Sequence, residues 1–308
     1  MHSLLNASVL AVPPLARRAD LSLDRSANAA LIRHIEQGGV TTLMYGGNAN
    51  FYNVGLYEYA DILDMLLETA SPDTWIIPSA GPDFGKMMDQ VEALRARPFT
   101  TVMILPAAGA STVEGVEAGI ARFAERVAKP VIVYVKSETY ITPQAIARLA
   151  GLGLVKAIKY AIARPDPAQD QYLSKLVDLV DPRIVISGIG ERPALVHLRE
   201  FGLAGFTSGS VCIAPRASQN ILLSLRRGDY ATAERLRTAF IPLEDCRDAL
   251  NPVRVLHEAV TLAGIADMGP LLPLMSNLDL AHAKQVREVA AELLRFNEGL
   301  TKMMETAA

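Results

Sequence analysis

The sequence predicts an α/β fold, a (β/α)8 TIM barrel followed by a C-terminal helical extension. Eight short runs rich in Val, Ile and Thr alternate along the chain with segments that have helical spacing. Right-handed crossovers between parallel strands can close such a set into a barrel. An open doubly wound sheet is the alternative, but it normally has fewer strands and a glycine-rich first turn, which this chain lacks.

The predicted strands are short and apolar, and three prolines help to place them. Pro98, Pro130 and Pro182 each lie just before a strand, at a point where the preceding helix has already ended. In chain order, the predicted strands are Ser8–Val12, Thr41–Tyr45, Trp75–Pro78, Thr101–Leu105, Val131–Tyr134, Val155–Lys159, Ile184–Ser187 and Gly205–Ser208.

Helical segments lie between these runs. Asp24–Gln37 and Leu56–Thr69 each place their apolar residues on one stripe. Thr142-Pro143 reads as an N-cap followed by a first-turn proline ahead of Gln144–Ala150, and Gly151 ends that helix.

The strand pattern stops after about residue 228 and is replaced by helical segments. We therefore predict a barrel over residues 1–227 and a helical extension over 228–308, which packs on the barrel to form one compact unit. The extension would cover part of the barrel or build an oligomer contact. Its predicted helices are Tyr230–Phe240, Val253–Ala263 and His282–Gly299.

Composition and charge limit the classes of partner. The 308 residues are half apolar and one-fifth charged, with a net charge of -3 and a pI near 6.0. That length suits a single α/β barrel. Because no dense Lys/Arg block appears, nucleic acid and anionic membranes are poor candidate partners.

Targeting and cysteine patterns point to a soluble cytoplasmic protein. The apolar run Leu4–Val12 is far shorter than the roughly 20 residues of a membrane helix, and only His2 precedes it where a signal peptide carries positive charge. Cys212 and Cys246 lie far apart without Cys-x-x-Cys or Cys/His spacing, so we expect reduced, buried thiols and no metal site.

Two strand ends carry the most informative side chains. In a parallel barrel, the C-terminal ends of the strands form the active face, and Lys159 and Tyr134 end neighbouring predicted strands. A lysine buried there would have a lowered pKa and could form an imine with a carbonyl substrate, while a tyrosine could transfer the protons. The alternative is a lysine that ends its strand at solvent and a tyrosine that fills the barrel mouth.

Small and polar residues follow three other strands. The turn Gly46-Gly47-Asn48 either offers N–H groups and the Asn48 amide to a carboxylate or simply joins a strand to a helix. Gly188 and Thr207 lie in short polar segments after the seventh and eighth strands, where barrels often bind phosphate. Because neither segment contains Arg or Lys, a phosphorylated substrate is a weaker expectation.

With these residues the chain resembles the dihydrodipicolinate synthase / N-acetylneuraminate lyase family of class I aldolases. The resemblance covers essentially the whole barrel and the C-terminal helices. It implies that Lys159 forms the imine, that Tyr134 carries protons, and that the turn Gly46-Gly-Asn-Ala-Asn50 holds a 2-oxo acid carboxylate. Gly205-Phe-Thr-Ser208 and Ala214-Pro215 also match the family pattern. No cofactor is implied, because the lysine serves as the electron sink.

The chain departs from the family's synthases around the substrate. Gly47 and Asn48 replace two threonines, Pro106-Ala-Ala-Gly109 lacks the tyrosine that reaches a neighbouring subunit, and Tyr160 replaces an acidic residue. The segment Val135-Lys-Ser-Glu-Thr139 lacks the arginine that grips the second substrate. There Glu138 would repel an acid, unless Lys136 or Arg164 compensates.

The expected function is therefore a class I lyase, cleaving or forming carbon–carbon or carbon–oxygen bonds, that acts on pyruvate or a related 2-oxo acid with a different second substrate, an aldehyde or sugar acid. Dihydrodipicolinate synthase itself, using pyruvate and aspartate semialdehyde, is one alternative. A catalytically inactive barrel that binds a small acid is another. The resemblance also implies a homodimer or homotetramer.

Overall fold

The computed structural model describes residue 5, residues 7–109 and residues 111–306, with side chains described up to residue 300. The strands of this part form one parallel sheet in the order β3-β2-β1-β9-β8-β7-β6-β5-β4. They are β1 Leu10–Ala11, β2 Thr42–Met44, β3 Trp75–Ile77, β4 Ser79–Ala80, β5 Val102–Ile104, β6 Val131–Val135, β7 Val155–Tyr160, β8 Val185–Ser187 and β9 Gly205–Ser208.

The barrel closes at the third predicted strand, Trp75–Pro78, and at the two residues that follow it, which form a separate strand. Only Pro78 separates β3, which pairs with β2, from β4, which pairs with β5. Proline has no N–H to donate to the sheet, although its carbonyl still accepts from Met103 N at 2.8 Å. Because β3 and β4 are consecutive along the chain, the two ends of the strand order meet there, and the predicted (β/α)8 barrel is confirmed.

Helices surround the barrel and continue beyond it. Thr142 accepts from Ala145 N and caps the helix that starts at Pro143, as predicted. The described helices are α1 Arg25–Gln37, α2 Leu56–Thr69, α3 Phe84–Asp89, α4 Val91–Arg95, α5 Val113–Val127, α6 Pro143–Gly151, α7 Gln171–Leu179, α8 Glu191–Phe201, α9 Pro215–Arg226, α10 Tyr230–Thr238, α11 Ile241–Ala249, α12 Pro252–Leu262 and α13 Leu280–Thr306.

The C-terminal extension contains a helix that the sequence prediction missed. Three helices were predicted after residue 228, but α11 lies between the first two of them. It starts directly after α10, with Pro242 in its first turn, where a proline costs no hydrogen bond. The extension packs on the barrel helices, α10 against α8 and α9 and α13 against α9.

Some of the predicted ranges begin or end at residues that the structure does not describe. Leu4, where the first apolar run begins, lies outside the described residues, as do the outermost ends of the ranges 1–227 and 228–308. We retain that division of the chain as a proposal. Both cysteines are free and buried, as expected. Within the described part of the chain, every helix is too short or too polar to cross a bilayer.

Candidate active site

Lys159 and Tyr134 lie side by side at the C-terminal ends of β7 and β6. The two strands pair in parallel with Tyr134 directly opposite Lys159, so both side chains leave the sheet on the same face. The Lys159 Nζ lies 4.4 Å from the centre of the Tyr134 ring. The predicted juxtaposition of these two groups is therefore present in the fold.

Both side chains face a cavity of about 270 Å³ at the barrel mouth, which we call the lysine cavity. The other predicted site residues line the same cavity. All six predicted residues thus come together around one space: Lys159, Tyr134, Gly47, Asn48, Gly188 and Thr207.

Burial changes the protonation of both reactive groups. The Lys159 side chain is buried, and this desolvation lowers its pKa from 10.5 to about 7, with a smaller contribution from the positive charge of Lys136. Burial raises the pKa of the Tyr134 phenol well above its usual range, and the nearby Tyr52 adds to the effect. At neutral pH the cavity therefore holds a lysine with a substantial neutral fraction beside a protonated phenol.

Gly188 is required by the closeness of the lysine chain. A Cβ at this position would lie 2.7 Å from the carbonyl oxygen of Tyr160 and 3.0 Å from Cγ of Lys159. The Gly188 N–H donates to the same Tyr160 oxygen at 2.6 Å. Any larger residue would displace the backbone or the lysine side chain, so this glycine sets the position of Lys159 as well as the cavity wall.

Asn48 joins the turn after β2 to the first strand. Its Nδ2 donates to the carbonyl of Val12 at 3.1 Å, and both residues line the lysine cavity. The turn around Gly47 is compact, because the N–H groups of Asn50 and Phe51 bond back to the carbonyls of Gly47 and Gly46. One hydrogen bond of the Asn48 amide is therefore made within the protein, where it holds the cavity wall together.

The segment after β6 resolves which charged group faces the cavity. Lys136 lines it, with Nζ 5.9 Å from the centre of the Tyr134 ring. Glu138 is absent from the lining; it pairs with Arg164, which also contacts Asp170 at 3.0 Å. The Glu138 carboxylate therefore lies outside the cavity lining and pairs with Arg164, one of the two cations named above as able to compensate it.

The sequence prediction missed one wall of the site, which comes from the C-terminal helices. Arg247 and Asp248 of α11 and Asn251, with the start of α12, line the lysine cavity. Asn251 caps α12 by accepting from the N–H groups of Val253 and Arg254 at 3.0 and 3.2 Å. The Asn251-Pro252 pair was a readable helix start, but its distance of about 90 residues from Lys159 hid its place in the site.

The N-terminus of α8 lies beside the cavity and is occupied by a side chain of the protein. Glu244 Oε1 accepts from the N–H groups of Glu191 and Arg192 at 3.0 and 3.3 Å. Gly190 has φ of +97°, and a Cβ there would lie 2.4 Å from the same oxygen. Since helix N-termini are common phosphate sites in barrels, Glu244 stands where a phosphate would bind, which argues against the phosphorylated-substrate hypothesis.

Comparison with known proteins places the chain in a family. The family model described as the dihydrodipicolinate synthetase family matches residues 11–293. Among curated proteins, a probable 5-dehydro-4-deoxyglucarate dehydratase 2 of Streptomyces coelicolor is 22% identical over 273 residues, covering 86% of this chain and 83% of its own. A 4-hydroxy-tetrahydrodipicolinate synthase of Corynebacterium diphtheriae is 22% identical and covers 84% and 85% of the two chains.

Solved structures share the fold of this chain. Dihydrodipicolinate synthase from Bacillus clausii superposes with a TM-score of 0.82 at 24% identity, over 94% of this chain and 98% of the other. YagE from Escherichia coli K12, a prophage protein solved in complex with pyruvate, gives a TM-score of 0.81 at 22% identity, over 93% and 98%. With the match of the family model across nearly the whole chain, this protein belongs to the dihydrodipicolinate synthetase family.

Proposed function

We propose that this protein is a class I lyase that acts on pyruvate or a related 2-oxo acid through an imine on Lys159. The observation that carries the proposal is the buried Lys159 amine, with its pKa lowered to about 7, against the Tyr134 ring in the lysine cavity. Membership of a family whose relatives include synthases and a dehydratase supports a lyase in general.

The first step joins the substrate to the lysine. Neutral Lys159 attacks C2 of the 2-oxo acid, and the carbonyl oxygen takes up a proton to give a carbinolamine. Tyr134 then protonates the departing hydroxyl, so water leaves and a protonated imine remains. The proton that the carbonyl oxygen takes up comes from the nitrogen of the attacking lysine. The phenolate left after water departs forms an ion pair with the protonated imine, and it becomes a phenol again when it takes the proton from C3.

The protonated imine then acts as the electron sink. Loss of a proton from C3 gives an enamine, which either attacks an aldehyde to form a C–C bond or expels a hydroxide from C4. Reversal of the first route cleaves a C–C bond. Hydrolysis of the imine releases the product and restores Lys159. Tyr134, within reach of the imine, is the group we assign to the proton transfers.

The remaining predicted residues are proposed to hold the substrate. We assign the 2-oxo acid carboxylate to the turn that contains Gly47 and Asn48, as the family resemblance implies. Gly188 and Thr207 border the same cavity and shape the space beside the imine.

Dihydrodipicolinate synthase itself is a second candidate, favoured by relatives that carry the name 4-hydroxy-tetrahydrodipicolinate synthase. We propose a different second substrate because Gly47 and Asn48 replace the two threonines of the synthases. As the family resemblance implies, the hydroxyl that joins the proton relay of the synthases is then lost, because neither Gly47 nor Asn48 supplies one. Turnover of pyruvate with aspartate semialdehyde at a rate typical of enzymes would reverse this preference.

Borohydride trapping tests the proposal directly. The protein is incubated with pyruvate, reduced, digested and searched by peptide mass spectrometry for a lactyl-type adduct. We expect the adduct on Lys159 and its loss in Lys159→Ala. The matched control is Lys156→Ala, which removes a lysine from the same strand that does not line the cavity.

An adduct that persists in Lys159→Ala, or that maps to another lysine, would remove Lys159 from the mechanism. If pyruvate and longer 2-oxo acids all fail to label the protein, the inactive barrel that binds a small acid becomes the better description. We also propose a cytoplasmic homodimer or homotetramer, as the family resemblance implies. Sedimentation equilibrium measures the assembly state, and a monomer at all concentrations would contradict it.

A further inference from the structure

Arg247 is a buried cation in the wall of the lysine cavity. Its side chain is only 7% exposed, and it reaches the cavity from α11, far along the chain from the reactive lysine. An arginine keeps its charge at every pH that a protein tolerates, so its burial requires compensating partners.

Two of the three guanidinium nitrogens have such partners. Nη1 donates to the carbonyl of Ile189 at 2.9 Å and to Glu244 Oε1 at 3.1 Å. Nε donates to Asp248 Oδ1 at 2.8 Å. These contacts hold the guanidinium in one orientation, beside the segment that follows β8.

The third nitrogen has no such partner. Nη2 of Arg247 is buried and makes no hydrogen bond with any residue that the structure describes. Glu244 Oε1 is already shared with the two N–H groups at the start of α8. A buried donor of this kind is costly unless a ligand satisfies it, and a carboxylate is the group that a guanidinium binds most strongly.

We infer that Arg247 binds a second carboxylate, at the end of the substrate remote from the imine. The preferred substrate class is then a 2-oxo acid with an acidic group at each end. This inference rests on the proposed function, in which Lys159 holds C2 and the Gly47 turn holds the first carboxylate.

The test compares dicarboxylic 2-oxo acids with analogues in which only the distal carboxylate has lost its charge. The probes are 2-oxoglutarate and 2-oxoadipate, each against the methyl ester of its distal carboxylate. The readout is the half-saturating concentration for borohydride-dependent labelling of Lys159. In the wild-type protein we expect at least one acid to be preferred over its ester by about 10-fold or more, the usual effect of a hydrogen bond between charged groups.

Variants assign the preference to a residue. In Arg247→Gln, the half-saturating concentrations of ester and acid are expected to become nearly equal. Arg247→Lys is expected to retain part of the preference for the acid. Arg199→Gln is the matched control, because Arg199 is 42% exposed on α8 and pairs with Glu200 outside the cavity. Far-ultraviolet circular dichroism establishes that each variant is folded. The preference for acid over ester in the wild-type protein is measured without any substitution, so it does not depend on the folding of a variant.

Two results would overturn the inference while leaving the proposed function intact. One is equal labelling by acid and ester in the wild type when pyruvate labels Lys159 normally. The other is a preference that survives in Arg247→Gln but disappears in Lys136→Met, which would assign the carboxylate to Lys136. Failure of every 2-oxo acid, pyruvate included, to label Lys159 would overturn the proposed function and this inference together.

Discussion

Replacing Lys159 by methionine is expected to stabilise the protein at neutral pH. Folding buries this amine and lowers its pKa from 10.5 to about 7. The unfolded chain therefore binds the proton more tightly than the folded protein does. At pH values below the folded pKa, this destabilisation has its full size. It decreases as the pH rises and disappears above 10.5, where the lysine is neutral in both states.

The size of the effect follows from those two pKa values. With about 1.4 kcal/mol per pKa unit, the loss amounts to about 4 kcal/mol at pH 7 and about 2 kcal/mol at pH 9. Methionine has a similar length and no charge to desolvate. The free energy of unfolding of Lys159→Met should thus exceed that of the wild type by up to about 4 kcal/mol at pH 7, and by about half as much at pH 9.

Urea unfolding at both pH values measures this difference. Trp75 is the single tryptophan of the sequence and is buried in β3, so its fluorescence reports on the barrel core. The control is Lys156→Met, which alters the partly exposed lysine three positions earlier on the same strand. A free energy of unfolding of Lys159→Met below that of the wild type at pH 7 would refute this explanation. A difference of the same size at both pH values would also refute it.

Three further changes test the groups around Lys159. Tyr134→Phe should lower kcat by roughly 10²- to 10⁴-fold, the usual effect of losing a general acid/base, and steady-state rates near wild type would exclude that role. Lys136→Met should raise the pKa of Lys159, because one of the two causes of its lowering is removed. The acid limb of the pH–rate profile should then move to higher pH, and an unmoved limb would show that the Lys136 charge does not reach the amine. Gly188→Ala should cost about 1 to 3 kcal/mol of stability and weaken imine formation, because the new Cβ meets the Tyr160 oxygen at 2.7 Å and Lys159 Cγ at 3.0 Å. Thermal unfolding and trapping check this, and unchanged values in both would show that the backbone has room for a methyl group.

The barrel and the lysine–tyrosine pair were predictable because both follow from local patterns. Each apolar run identified a strand, and parallel strands bring their C-terminal ends to one face. Lys159 and Tyr134 end neighbouring runs, so their meeting required no knowledge of distant contacts. Gly47, Asn48, Gly188 and Thr207 were found by the same rule, since the first three follow strand ends and Thr207 is the next-to-last residue of β9.

The wall formed by α11 could not be predicted in this way. Arg247 and Glu244 approach the barrel only through the packing of the C-terminal helices, which no periodicity in their own segment specifies. Pro242, close behind α10, also concealed the start of the helix. For Glu138 the sequence offered two possible partners, Lys136 and Arg164, and only the fold shows that Arg164, 26 residues away, is the one that pairs with it.

The side chain of Glu244 occupies an anion-binding site of its own protein, at the start of α8. If a small residue replaced it, the two N–H groups at the start of α8 and the Arg247 guanidinium would surround an empty volume. Those donors are the ones that hold a phosphate monoester at a helix N-terminus. A single codon change at this position would thus open a vacancy with donors for a phosphate group, next to the cavity that holds Lys159.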